Sequence, residues 1–212
     1  MLTKPIRYFS SNEAIFGTSD LERRILNGSL KTVGLAEAII TSQAPDGGLF
    51  MPTNFPSIGL ETIMQMKNMP YASIFVEVMK DFFKDVLSEK TLEKIAKEAY
   101  AFEPFIERIS DIDYIVRLDE GPTAAFKDYA AQVLYRLIEA LMKEEPKSEI
   151  EFRRNLRDIK LLTNIVATSG DTGGAMGVAC HKRDKMWMTI LHSAFIPEHV
   201  SELQAKQMDT LK

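Results

Sequence analysis

The sequence predicts an α/β protein: a mainly helical segment to about residue 105, then the first part of an open, mostly parallel sheet with helices on its faces. Three observations carry the prediction. Residues 60–103 set apolar side chains at helical spacing, among them Leu60, Ile63, Met64, Ile74, Phe75, Val78 and Leu92. From residue 112 onward, strand and helix patterns alternate, as they do in parallel sheets. Lastly, IKLLTNIVAT (159–168) is a continuous apolar run of the kind found in strands buried on both faces. The expected division is 1–105 and 106–212.

Taken in order, Ser19 or Asp20 caps a helix over LERRILNG that Asn27-Gly28 closes, and GLAEAIITS forms a second helix. APDGGLFMP (44–52) reads as a turn followed by a short apolar piece stopped by Pro52. Ser88 with Thr91 precedes LEKIAKEAYAF as a cap precedes a helix. IDYIVRLD (112–119) alternates as a strand of the sheet. FKDYAAQVLYRLIEALMKEE (126–145) is a long amphipathic helix with Ala130, Val133, Leu134, Leu137, Ile138 and Leu141 on one stripe. Pro146 and the charged KSEIEFRRNLRD read as a solvated loop. GGAMGVACHKR follows the apolar strand as a helix, MWMTILH (186–192) as a strand, and PEHVSELQAKQMDTL as a further helix.

The 26 basic and 30 acidic residues give a net charge of −4, which offers no basic surface for nucleic acid or for an anionic membrane. Cys180 is the single cysteine, so no disulfide forms within the chain and a reducing cytoplasm is the expected setting. The opening MLTKPIRYFSS lacks the apolar core of a signal peptide, and no stretch approaches the ~18–20 apolar residues of a membrane span.

In a parallel sheet, ligands bind beyond the carboxyl ends of the strands. Two unusual loops, GPTAAFKD (121–128) and TSGDTGG (168–174), are expected at that edge. Lys127 is fenced by Gly121, Pro122, Ala124, Ala125 and Phe126 and should fall in a first helical turn. The partial positive charge there and the apolar neighbours both disfavour an ammonium and favour an amine that attacks carbonyls. The competing reading is a surface lysine paired with Asp128 or Asp119. In the second loop, Ser169 and Thr172 offer hydroxyls and Gly170, Gly173 and Gly174 allow close backbone approach. With the free N–H groups of the next helix they would hold a carboxylate or phosphate. The alternative there is a simple capping turn. Asp171-Thr172-Gly173 also matches the Asp-Thr-Gly of aspartic proteases, but those need two such carboxylates and this sequence has one copy. His181, His192 and His199 lack metal-ligand spacing, so no metal site is expected.

Together these segments resemble threonine synthase, a family of pyridoxal 5′-phosphate (PLP) enzymes with the tryptophan-synthase-β-like fold (fold type II). RYFSS…GLAEAIITSQAPDGGLFMP resembles the family's opening domain, LDEGPTAAFKDYAAQ its cofactor-lysine segment, ATSGDTGGAM its substrate loop, and VSELQAKQM the helix after the next strand. The resemblance implies that Lys127 holds PLP and moves protons on and off the substrate. It implies that Thr168, Ser169, Gly170, Asp171 and Thr172 grip the substrate carboxylate, with Asp171 also near the cofactor ring. The implied reaction converts O-phospho-L-homoserine and water to L-threonine and phosphate. Glu120 stands where the family often has His. The family's Gly-rich loop for the PLP phosphate, and the hydroxyl that faces the pyridine nitrogen, would lie beyond Lys212. The expectation is therefore an amino-terminal portion that by itself binds PLP weakly or not at all, is inactive, and self-associates through its incomplete sheet. The alternative is a non-catalytic relative acting as an interaction or regulatory protein.

Overall fold

A strand of three residues starts the fold because its side chains have somewhere to be buried. In the computed structural model, which describes residues 5–16, 23–25 and 27–192, β1 (Tyr8–Ser10) is buried along its length and pairs antiparallel with β2 (Phe50–Pro52). Of the helix expected after Ser19 or Asp20, residues 23–25 are helical, while 19–22 and 26 lie outside the described residues. So do His199 and the helix expected over PEHVSELQAKQMDTL. Between the strands lie the Gly28 turn, α1 (Leu35–Thr41) and the Ala44–Gly48 turn. Gly28 and Gly47 have φ of +71° and +83°, the left-handed region that glycine enters without steric cost. Asp46 closes the second turn by accepting from the Ser10 hydroxyl at 2.7 Å and from the Gly48 N–H at 3.0 Å. The Ser10 bond first, then the Gly48 bond, holds the Asp46 carboxyl below the usual carboxylate range.

The helical reading of 60–103 resolves into α2 (Leu60–Gln65), α3 (Tyr71–Phe83) and α4 (Glu89–Ala99). Ser88 caps α4, its hydroxyl oxygen accepting from the Thr91 N–H at 3.1 Å. Two short strands then form a hairpin, β3 (Phe105–Arg108) antiparallel to β4 (Tyr114–Arg117), with every residue exposed. The strand expected at 112–119 is thus shorter and lies in a separate sheet, not in the parallel one. Its neighbour is set by the turn before it. Ser110 donates its hydroxyl to Asp113 at 2.6 Å and accepts the Asp113 N–H at 3.1 Å, and so short a turn can join only antiparallel strands.

The parallel pair is β5 (Leu162–Thr168) with β6 (Met186–His192), aligned from Leu162 opposite Met186 to Thr168 opposite His192. α5 (Asp128–Lys143), α6 (Ile150–Asp158) and α7 (Asp171–Cys180) complete the described elements. The apolar run at 159–168 does not form a strand buried on both faces: exposure alternates along both strands, and Ile165, Trp187 and Leu191 are exposed. Among the described residues, only the opposite face is covered. There Leu162, Met186 and Met188 pack against the core and α7 lies over the strands.

α5 starts two residues later than its pattern predicts, because residues 121–127 form turns. It is also buried over most of its circumference rather than on one stripe: Ala130 is exposed, while Tyr129, Ala131, Gln132, Tyr135 and Met142 are buried. One cluster of buried side chains surrounds it, joining Leu35, Phe83, Leu92 and Tyr100 to Leu137, Leu141, Leu156 and Ala175. A fully buried Leu contributes about 1.5–3 kcal/mol.

The charged segment after Pro146 is helix α6 and not a loop. Two buried residues explain it. Leu156 joins the core, and Arg153, fully buried, donates to the carbonyls of Val86 at 2.8 Å and of Leu141 and Glu144 at 3.3 Å. The last two are at the carboxyl end of α5, where carbonyls lack helical partners. Glu149, at φ +53°, begins the segment by accepting the N–H groups of Ala36 and Glu37, both at 3.0 Å, at the start of α1. Gly34 makes this approach possible, since a Cβ there would overlap the Glu149 carboxylate.

Candidate functional site

The two loops singled out in the sequence meet. Lys127 is the residue just before α5, already in right-handed helical conformation, and Asp171 is the first residue of α7. Their side chains form an ion pair, Lys127 Nζ to Asp171 Oδ2, at 3.8 Å. The Lys127 side chain is 27% exposed and that of Asp171 58%, so the pair is partly open to solvent. Lys127 Nζ also stands 4.4 Å from the centre of the Phe126 ring, a cation–π distance. The apolar fence inferred from sequence is therefore incomplete, because the amine faces a carboxylate and an aromatic face. Its carboxylate partner is neither Asp128 nor Asp119, but Asp171.

The turn that presents Lys127 is tightly made. Ala124 N–H donates to Gly121 O at 3.0 Å, Ala124 takes φ +55°, and Asp128 N–H donates to Ala125 O at 2.9 Å. Asp128, fully buried, reaches back so that its Oδ2 accepts both the Thr123 N–H at 2.8 Å and the Thr123 hydroxyl at 2.9 Å. Gly121 has to be small here, because a Cβ would come within 2.6 Å of the Asp128 carboxylate. Beneath the turn, Tyr129 stacks edge-on with Tyr71 and Phe102, at centroid distances of 5.4 and 5.1 Å, and its carbonyl accepts the Tyr100 hydroxyl at 2.9 Å. From the sequence, Asp128 reads only as a surface partner for Lys127. Its type and its place at a helix start were the available signals for a capping role.

The second loop leaves β5 at Thr168, whose hydroxyl oxygen accepts the N–H of Gly170 at 3.0 Å and of Gly173 at 3.1 Å. Thr168 is thereby bound up in shaping the loop. Ser169 is exposed, Gly170 is buried, Thr172 is half-buried, and Gly173 and Gly174 are buried in the first turn of α7. The Asp-Thr-Gly triplet opens a helix and pairs with a lysine. Among the described residues, no helix is long and apolar enough to cross a membrane, and no three His, Cys, Asp or Glu side chains gather as metal ligands would.

This geometry sets a primary amine beside a carboxylate just past the end of β5, in a loop whose Gly170 and Gly173 N–H groups are already taken by the Thr168 hydroxyl. A profile of the family described as "Threonine synthase N terminus" matches residues 26–100. Threonine synthase from Pseudomonas aeruginosa is 29% identical over 190 residues, covering 87% of this chain and 37% of that protein. The chain is similar to threonine synthases. The Corynebacterium glutamicum threonine synthase is 31% identical over 170 residues, covering 75% of this chain and 32% of that protein. Among solved structures, PLP-bound threonine synthase from Brucella melitensis superposes with a TM-score of 0.71 at 26% identity, over 96% of this chain and 38% of that one. The Escherichia coli threonine synthase gives 0.68 at 25% identity, over 85% and 38%. The chain thus spans about a third of the length of the threonine synthases it matches, and its fold is that of their amino-terminal portion. The profile match ends at residue 100, before either site loop begins.

Proposed function

We propose that this chain carries the lysine-bearing turn and the carboxylate-gripping loop of a threonine synthase, which converts O-phospho-L-homoserine and water to L-threonine and phosphate. The single observation that carries the reading is the approach of Lys127 to Asp171 across two loops about forty residues apart in sequence. The residues present suit the aldehyde end of PLP: Lys127 supplies a primary amine at a sheet edge, and Asp171 supplies a carboxylate beside it. PLP, when bound, supplies an electron sink for carbanions formed on the substrate. Lys127 would hold it and move protons at the substrate carbons. Ser169, Gly170, Asp171 and Thr172 would line the α-carboxylate of the substrate, with Thr168 shaping the loop through Gly170 and Gly173. The phosphate of the cofactor finds no comparable cradle among the described residues.

For that reason the 212 residues tested alone should hold PLP weakly and turn over no phosphohomoserine. The exposed side chains of Ile165, Trp187 and Leu191, with the exposed hairpin, support self-association of the isolated polypeptide. A spectral titration with PLP tests the site. Weak saturable binding that Lys127→Ala abolishes is expected. Binding equal in wild type and Lys127→Ala would contradict the lysine assignment. Phosphate release from phosphohomoserine by the 212-residue polypeptide would contradict its inactivity.

A further inference from the structure

Asp128 is a buried carboxylate that the reaction outlined above does not use. One of its oxygens accepts two hydrogen bonds from Thr123, and the other has no hydrogen-bond partner. Burying a carboxylate is costly unless it is well partnered, so a fully buried one with half its capacity unused needs an explanation. Its sequence neighbour and the ring it closes provide one. The Thr123 bonds draw residues 123–128 into a closed loop, within which Ala124 is held at φ +55°. That conformation costs an alanine free energy unless its surroundings impose it. The loop contains Lys127, whose backbone carbonyl accepts the N–H groups of Ala130 at 3.2 Å and Ala131 at 2.9 Å. Lys127 is thus held between the Asp128–Thr123 clasp and the first turn of α5, and its amine comes within reach of Asp171 from there.

We infer that Asp128, acting through Thr123, is the positioning residue that fixes the backbone of Lys127 and so aims its amine at the site shared with Asp171. The inference rests on the reading of Lys127 given under Proposed function and adds a role for a residue that does not touch substrate or cofactor. The conformation of the turn determines how often the amine faces an incoming aldehyde. Loosening it lowers the reactivity of Lys127 without lowering that of other lysines.

The test exposes the 212-residue protein to PLP, reduces with borohydride, and maps the modified peptides. The readout is labelling of Lys127 relative to Lys94, a lysine of α4 whose side chain is 75% exposed. In wild type, Lys127 should be the favoured lysine. Asp128→Ala should lower the Lys127-to-Lys94 ratio by about tenfold, the factor to which 1.4 kcal/mol corresponds. Asp128→Asn keeps an oxygen that can accept from Thr123 and should restore most of the ratio. Thr123→Val removes only the hydroxyl donor and should lower the ratio partway. That milder variant carries the test if Asp128→Ala does not fold. An unchanged ratio in Asp128→Ala or, where that variant does not fold, in Thr123→Val overturns the inference. A wild-type protein in which Lys127 is no more labelled than Lys94 overturns instead the reading of Lys127 on which it rests.

Discussion

Replacing Arg153 with Met should cost about 3 kcal/mol of stability, because its buried guanidinium donates to the carbonyls of Val86, Leu141 and Glu144. The Val86 bond, at 2.8 Å, is a charge-assisted bond worth about 1.5–3 kcal/mol. The bonds to Leu141 and Glu144, at 3.3 Å, are weaker singly, but they place a cation on the carboxyl end of α5, a site worth up to about 2 kcal/mol when partly buried. Met fills similar volume and recovers part of the loss, since apolar groups often replace buried charge without penalty. For a protein of this size, the net should lower the Tm by roughly 6–12 °C. Urea unfolding followed by circular dichroism measures it, with the m-value checked against wild type. A variant within about 0.5 kcal/mol of wild type would refute the reasoning and make the arginine dispensable to the core.

Other expectations test separate parts of the fold. Ser88→Ala should destabilise by about 1 kcal/mol in the same urea assay, through loss of the α4 cap. The depressed Asp46 carboxyl contributes stability that is complete above the unfolded Asp value of about 3.9 and is lost as pH falls toward its lower folded value. The urea-midpoint difference between wild type and Ser10→Ala should accordingly shrink as pH drops below about 4, and a pH-independent difference would count against the Ser10 bond as its source. Burial raises the Tyr100 and Tyr135 phenols, and burial with the nearby Glu149 pushes Tyr8 up to about 12. The stability these neutral phenols provide is present below about pH 10 and lost above it, so ultraviolet titration should show them ionising together with unfolding. Light scattering of the 212-residue polypeptide should report species larger than a monomer, and a monodisperse monomer would contradict association through Ile165, Trp187 and Leu191.

The helices were largely legible in the sequence because each carried its own local signal. Ser88 and Thr91 marked the start of α4, and the glycines at 28 and 47 marked turns whose left-handed φ only local chemistry dictates. What escaped was decided by distant partners. Nothing near residues 147–158 announces that Arg153 will find the Val86 carbonyl or that Glu149 will cap a helix more than a hundred residues earlier. A charged stretch looks like a solvated loop until those partners are known. The strand at 114–117 was legible as a strand, but its sheet was not, because pairing depends on the Ser110–Asp113 turn and on Phe105–Arg108. At the site, both loops were readable from their glycines and from Lys127. The Asp171 partner and the Asp128 clasp were not, since both depend on how the turn closes in space.

The measurement that bears most directly on the account is a peptide map of the wild-type protein after PLP and borohydride, repeated with Asp171→Asn. The account predicts label concentrated on Lys127, well below one equivalent, and diminished when the Asp171 carboxylate is removed. Label distributed among the lysines according to exposure, with Lys127 spared and Asp171→Asn without effect, would contradict it.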